Sequence, residues 1–199
     1  MNQPLRRPDL SMTTQAAEGL ARRRWTVAEI EAMVRAGIID EHERFELIGG
    51  EVVPMSPKGI RHELLKTALN LYWAQRPPQP IRFSTETTFH LNEDSYVEPD
   101  FVFYRRADGL AGLTPQTALL AVEVADSSLS YDLGRKAGIY AGVGVAEMWV
   151  VHAERLTTHI HRQPSPQGYL EKVAIRSDAP LIPSFAPELT VVLADLELT

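Results

Sequence analysis

The chain has 199 residues, 44% of them hydrophobic and 23% charged, with a formal net charge of -6. This balance suits one globular domain with a sizeable core and speaks against a sequence-indifferent nucleic-acid binder, which is usually basic, though a locally basic cleft stays open. Without cysteine, disulfides, zinc-thiolate centres and thiol nucleophiles are excluded; without an apolar run near the roughly 18 residues of a membrane span, or a secretory leader, a cytoplasmic protein is expected.

Residues 1–24 are polar and charged, carry two prolines and have no periodicity. They are expected to form a flexible arm ahead of a single domain over 25–199. Arg22-Arg23-Arg24 reads as a solvated basic run. Thr26-Val27-Ala28-Glu29 has capping-box spacing, so a short helix starts there, with Ile30, Met33 and Val34 as its apolar stripe and Gly37 at its end. Phe45 to Ile48 and Glu51 to Met55 flank Gly49-Gly50, which predicts a hairpin.

Ser56-Pro57 predicts a helix start, the helix running to about Trp73. Ile60, Leu64, Ala68 and Leu71 are expected to face the core. His62, Lys66, Leu69 and Trp73 lie roughly opposite. The prolines of Arg76 to Pro80 break the helix. Ile81 to Leu91 reads as one strand, and Asn92 to Ser95 as a turn into the next. Arg105-Arg106, just before the loop Leu110 to Thr117, is placed at a rim.

Two apolar strands then carry acids. Asp100 opens Phe101-Val102-Phe103-Tyr104, and Pro99 before it suggests a strand start or bend. Taken alone, Asp100 reads as a solvated strand-end acid. Glu123 lies inside Leu119-Leu120-Ala121-Val122-Glu123-Val124, a run of the kind covered on both faces. An ionised carboxylate there is costly unless it is paired or metal-bound. Asp132, Lys136 and Tyr140 follow at i, i+4 and i+8 on a helix, where an Asp–Lys surface pair is the ordinary reading. Met148-Trp149-Val150-Val151 is the return strand, which makes a crossover unit with the helix start near the end of the Glu123 strand. Thr157 to Arg162 and Tyr169 to Ile175 form a hairpin that extends the sheet, and Leu181 to Leu198 supplies a last apolar strand.

The residues Pro99-Asp100, Glu123-Val124, Asp126-Ser127-Ser128, Asp132, Lys136, Tyr140, Gly144-Val145 and Trp149-Val150-Val151 together resemble the restriction-endonuclease-like PD-(D/E)xK superfamily. The likeness is to its branch of restriction-type endonucleases of unassigned role, and it runs from about Trp25 to the C-terminus. It implies an α/β (α+β) fold: a mixed β-sheet flanked by helices, with an N-terminal helix plus hairpin and a C-terminal hairpin extension. It implies Asp100, Glu123 and Lys136 as catalytic residues. Asp100, Glu123 and the backbone carbonyl of Val124 would hold Mg2+ or Mn2+. In a supporting role it implies Glu46, within the stretch Glu46 to Glu51, His62 and Asp132, the last positioning Lys136. The superfamily lysine two residues after the glutamate is replaced by Ala125, and its place is taken by Lys136 from the helix. His152, where the branch often has an acid, is read as non-catalytic. The expected function is a metal-dependent endonuclease acting on DNA, with a second copy of the chain in a homodimer as the expected protein partner. The alternatives are an inactive nucleic-acid- or partner-binding protein of the same fold and, last, a small-phosphoester hydrolase.

Overall fold

The computed structural model describes residues 23–76 and 80–198. The expected N-terminal arm, apart from Arg23 and Arg24, and the proline break at 77–79 lie outside the described residues.

Helix α1 (Val27–Arg35) begins with a complete capping box. The Glu29 N–H donates to the Thr26 hydroxyl at 3.2 Å, and the Thr26 N–H donates to the Glu29 carboxylate at 2.9 Å. Val27 and Ile30 of this helix pack on Phe45, Leu47 and Tyr96. Strands β1 (Phe45–Ile48) and β2 (Glu51–Pro54) pair antiparallel around Gly49-Gly50. Both glycines have positive φ, as a tight hairpin turn requires. At Gly50 a side chain would also collide with Arg24, whose Cβ lies 2.5 Å from where it would start.

The 15-residue α2 (Ile60–Ala74) follows. It starts after Gly59, not at Ser56-Pro57. Its inner face also differs from the sequence reading. Leu65, Leu69 and Trp73 are fully buried, whereas Ile60 and Leu71 are 73% and 56% exposed. Apolar residues occupy both faces of this helix, so periodicity alone does not choose between them. Trp73 decides it: its ring meets Phe101 and Phe103 edge-on, and its indole N–H donates to the Leu189 carbonyl at 3.1 Å.

The expected strand Ile81 to Leu91 is two strands in different sheets. These are β3 (Ile81–Ser84) and β4 (Phe89–Asn92). The break falls at Glu86, which adopts φ 47°, a left-handed backbone outside the extended region of a regular strand. A turn leads to β5 (Ser95–Val97), then to β6 (Phe101–Arg105), β7 (Ala118–Ala125), β8 (Glu147–His152), β9 (Thr157–Ser165) and β10 (Gly168–Ile175). One sheet runs β2-β1-β5-β4 and the other β10-β9-β8-β7-β6-β3. The β7–β8 pair is parallel, and its neighbours on either side pair antiparallel.

Between β7 and β8 the chain forms α3 (Leu129–Tyr131), a π-helical turn over Asp132–Lys136 and α4 (Ala137–Gly142). This segment and the small sheet cover one face of the six-stranded sheet, with Tyr140, Phe89 and Val97 packed against Val102 and Val150. The other face is covered by α2 and the C-terminal tail. The tail is not the expected strand. Leu181 and Val191 make one isolated bridge, and short 3-10 turns occupy Pro187–Leu189 and Leu193–Asp195. Pro183 and Pro187 lack the N–H groups a ladder needs. The tail's Leu181, Leu189 and Leu193 are buried all the same.

Because the inner face of α2 is set by Trp73, Trp73→Ala should cost about 3–5 kcal/mol. Leu71→Ala on the outer face should stay within about 0.5 kcal/mol of the parent. Urea unfolding followed by far-ultraviolet circular dichroism checks both, and equal losses would mean the helix face is wrongly assigned.

Candidate active site

The site is built where the chain changes sheets. Strand β5 belongs to the small sheet and β6 to the large one, and Glu98-Pro99-Asp100 is the passage between them. Strand β6 begins opposite Val122, so β7 runs on past it. The Val124 N–H therefore has no β6 partner, and the Asp100 Oδ2 accepts it at 2.8 Å. The Asp100 carboxylate completes the ladder that its own strand leaves unfinished. The Ala125 carbonyl accepts the Ala153 N–H on the β8 side, so by strand alternation the Val124 carbonyl faces the Asp100 edge.

Asp100 has two further partners. His62 Nε2 lies 3.1 Å from Oδ2, and Lys58 Nζ donates to Oδ1 at 3.0 Å. Burial alone would raise the Asp100 pKa, but the His62 hydrogen bond and charge, Lys58 and the Val124 N–H outweigh it and bring it to about 2. His62 reaches Asp100 because it lies on the inner face of α2, which is why it is buried and not solvated.

Glu123 sits in the middle of the fully buried β7. Its Oε1 accepts from the Tyr140 hydroxyl at 2.7 Å and lies 3.0 Å from Lys136 Nζ. Burial pushes its pKa up to about 8. Lys136 partly offsets this, while Asp132, Asp100 and Glu46 push the same way as burial. Lys136 Nζ also lies 2.8 Å from Glu46 Oε1. Burial would lower the lysine, but Glu123, Glu46 and Asp132 raise it above its ordinary range. Glu46 Oε1 additionally accepts the Glu98 N–H at 3.1 Å, which ties the small sheet to the passage.

Asp132 accepts a hydrogen bond from the Ser128 hydroxyl at 2.6 Å. Glu46 and Glu123, not Asp132, pair directly with Lys136. The π-helical turn explains this. The Ala137 N–H bonds the Asp132 carbonyl five residues back, which widens the turn and takes Asp132 and Lys136 out of the usual i, i+4 alignment.

Asp100, Glu123, Val124, Lys136, Glu46 and His62 thus line one open cleft of about 360 Å³, with Asp132 beside them. The cleft lies at the carboxyl end of the parallel strand β7, where sheets of this kind commonly bind ligands. Arg105 is at the other end of β6 from Asp100, away from the cleft. Sequence reasoning missed Lys58 and Glu86. Lys58 was hidden inside a helix drawn too long, and Glu86 inside a strand drawn through a turn.

Among the described residues no three carboxylate or imidazole groups converge as a ready-made metal cluster. The donor chemistry still fits a hard divalent cation. The available ligands are oxygens: two carboxylates and one carbonyl. The Tyr140 hydrogen bond and the closest approach of Lys136 to Glu123 both fall on Oε1. Buried carboxylates also outnumber ammonium groups here, with Glu46, Asp100, Glu123 and Asp132 facing Lys136 and Lys58.

The family model Uma2, described as "Putative restriction endonuclease", matches residues 27–196. The chain is also similar to a crystal structure of a "putative nuclease belonging to DUF820" from Anabaena variabilis ATCC 29413. That likeness has a TM-score of 0.64 at 17% identity and covers 85% of this chain and 96% of the other. At this identity it speaks for the fold. The comparison with curated proteins found no match.

Removing the shared ammonium tests the electrostatic account. Lys136→Met should cost about 3–5 kcal/mol near pH 8, because Glu46 and Glu123 are left buried without a counter-charge. A carboxyl whose folded pKa lies above its unfolded value takes up its proton first in the folded state, so the penalty should shrink as pH falls towards 5. Urea midpoints in EDTA at the two pH values read this directly. A penalty that grows on acidification would mean the cluster is not short of positive charge.

Proposed function

The chain belongs to the Uma2 family, and on that premise we propose that it is an endonuclease that hydrolyses phosphodiester bonds of DNA with Mg2+ or Mn2+. The observation that carries the proposal is the meeting of Asp100, Glu123 and Lys136 in one cleft at the end of β7. Asp100, Glu123 and the Val124 carbonyl would hold the cation. A cation so held supplies a more acidic bound water and offsets charge on the phosphate.

The chain's own residues do the rest. His62 and the Val124 N–H fix the Asp100 carboxylate and keep it ionised. Lys136 balances Glu123 and Glu46 and carries positive charge to the wall of the cleft, where it stabilises negative charge developing on the phosphate. Tyr140 donates to Glu123; burial, then Glu123 itself, raises the phenol well above its ordinary range, so it remains a donor. A duplex would be cut on both strands most simply by two copies related by a two-fold axis.

One observation favours a second reading, a non-cutting nucleic-acid-binding protein of the same fold. Both oxygens of Asp100 already have partners, and a cation must displace Lys58 from Oδ1.

Supercoiled plasmid and single-stranded DNA, each with Mg2+, Mn2+ or EDTA, separate the two. We expect nicking that needs the cation and that Asp100→Asn lowers by more than about 100-fold, the upper range for loss of a group that only supports a ligand. Cleavage that survives Asp100→Asn would remove the cleft from the reaction. DNA binding without cleavage in any cation would leave the second reading.

A further inference from the structure

A second cavity, of about 470 Å³, opens beside the cleft and shares Met55, Ser56, Pro57 and Lys58 with it. Its other walls are Arg44, Glu63, Lys66 and Glu86. Three cations here converge on a single carboxylate oxygen. Lys58 and Lys66 both donate to Glu86 Oε1, the latter at 3.1 Å, and Arg44 stands 3.8 Å from the same atom. Arg44 also pairs with Glu98 at 3.1 Å, Lys66 with Glu63 at 2.9 Å and Lys58 with Asp100 at 3.0 Å, so Glu86 is the one carboxylate that all three cations share. One carboxylate oxygen gripped by several donors is also the arrangement a phosphate oxygen takes among basic side chains.

Glu86 holds this position at a conformational cost. It is a non-glycine residue at φ 47°, in the turn that separates β3 from β4. Its own N–H donates to the Pro99 carbonyl at 3.1 Å, in the passage that carries Asp100. Burial pushes the Glu86 carboxyl up, but Lys58 and Lys66 bring it below its usual range, so it sits there as an anion. Backbone strain of this kind persists where the surroundings impose it and is concentrated at binding sites. The carboxylate is a third exposed, so it can swing out without unpacking the core.

We propose that Arg44, Lys58 and Lys66 form a subsite for a phosphate of the nucleic-acid strand next to the one held in the cleft, and that Glu86 occupies this subsite when no strand is bound. The proposal rests on the reading of the cleft as a nucleic-acid-cleaving site. It assigns Lys58 two partners in succession. In the free protein Lys58 bridges Asp100 and Glu86. With a strand in place it turns from both to the phosphate and leaves Asp100 Oδ1 open.

The test is the binding of short fluorescein-labelled DNA and RNA strands to the whole protein, followed by anisotropy in EDTA across a salt series. The variants are Glu86→Gln and Lys66→Met. Removing the resident anion should tighten binding at least about threefold in Glu86→Gln, the reverse of what loss of a merely structural ion pair does. Lys66→Met should weaken binding severalfold and reduce the salt slope by about one. The strand that binds more tightly, DNA or RNA, identifies the source of the phosphate. The proposal is overturned if the parent protein binds neither strand, if both variants bind as the parent does, or if Glu86→Gln weakens binding as Lys66→Met does. The plasmid assay keeps the two readings apart. Predicted binding changes in a protein that never nicks DNA would uphold the subsite and sink the nuclease. Cation-dependent nicking with unchanged binding would do the opposite.

Discussion

One ammonium joins three parts of the molecule. Lys136 comes from the crossover between β7 and β8, Glu123 from the central strand and Glu46 from the small sheet, and Lys136 Nζ lies within 3.0 Å of both carboxylates. Neither acid would be tolerated at its depth without a partner, and the lysine would not be tolerated without them. A core of hydrophobic side chains alone would pack the small sheet on the large one in many ways. A buried charge set has one arrangement in which every member is satisfied. Here that arrangement fixes where β1 lies relative to β7, and therefore where Asp100 emerges between the two sheets.

The cleft holds more buried carboxylates than ammonium groups. Glu123 is raised and Asp100 lowered by their surroundings. Two acids whose environments separate them so far are suited to different tasks within one site. Asp100 has a full set of donors and is ready as an anion. Glu123 is held by the Tyr140 hydroxyl and by Lys136, which it shares with Glu46.

Much of this was legible in the chain. The crossover unit, the hairpin at Gly49-Gly50 and the capping box at Thr26 are each written in local residue chemistry and stand as expected. Glu123 declared itself by being an acid inside an apolar run. What was not legible depended on partners far off in the sequence. The inner face of α2 is settled by Trp73 meeting Leu189, and the burial of His62 by Asp100. The partners of Lys136 are Glu46 and Glu123 and not the nearby Asp132, because the π-helical turn alters a spacing that is countable in sequence only for a regular helix. The break at Glu86 carries no proline or glycine to announce it.

The tie between Glu46 and Lys136 spans about 90 residues of sequence. During synthesis Glu46 and Asp100 leave the ribosome well before Lys136 and the strand that follows it. Until then the emerging chain carries the acids but not the ammonium that lets them be buried together, and long-range contacts of this kind form late. The charge set that joins the two sheets is therefore incomplete until Lys136 has emerged.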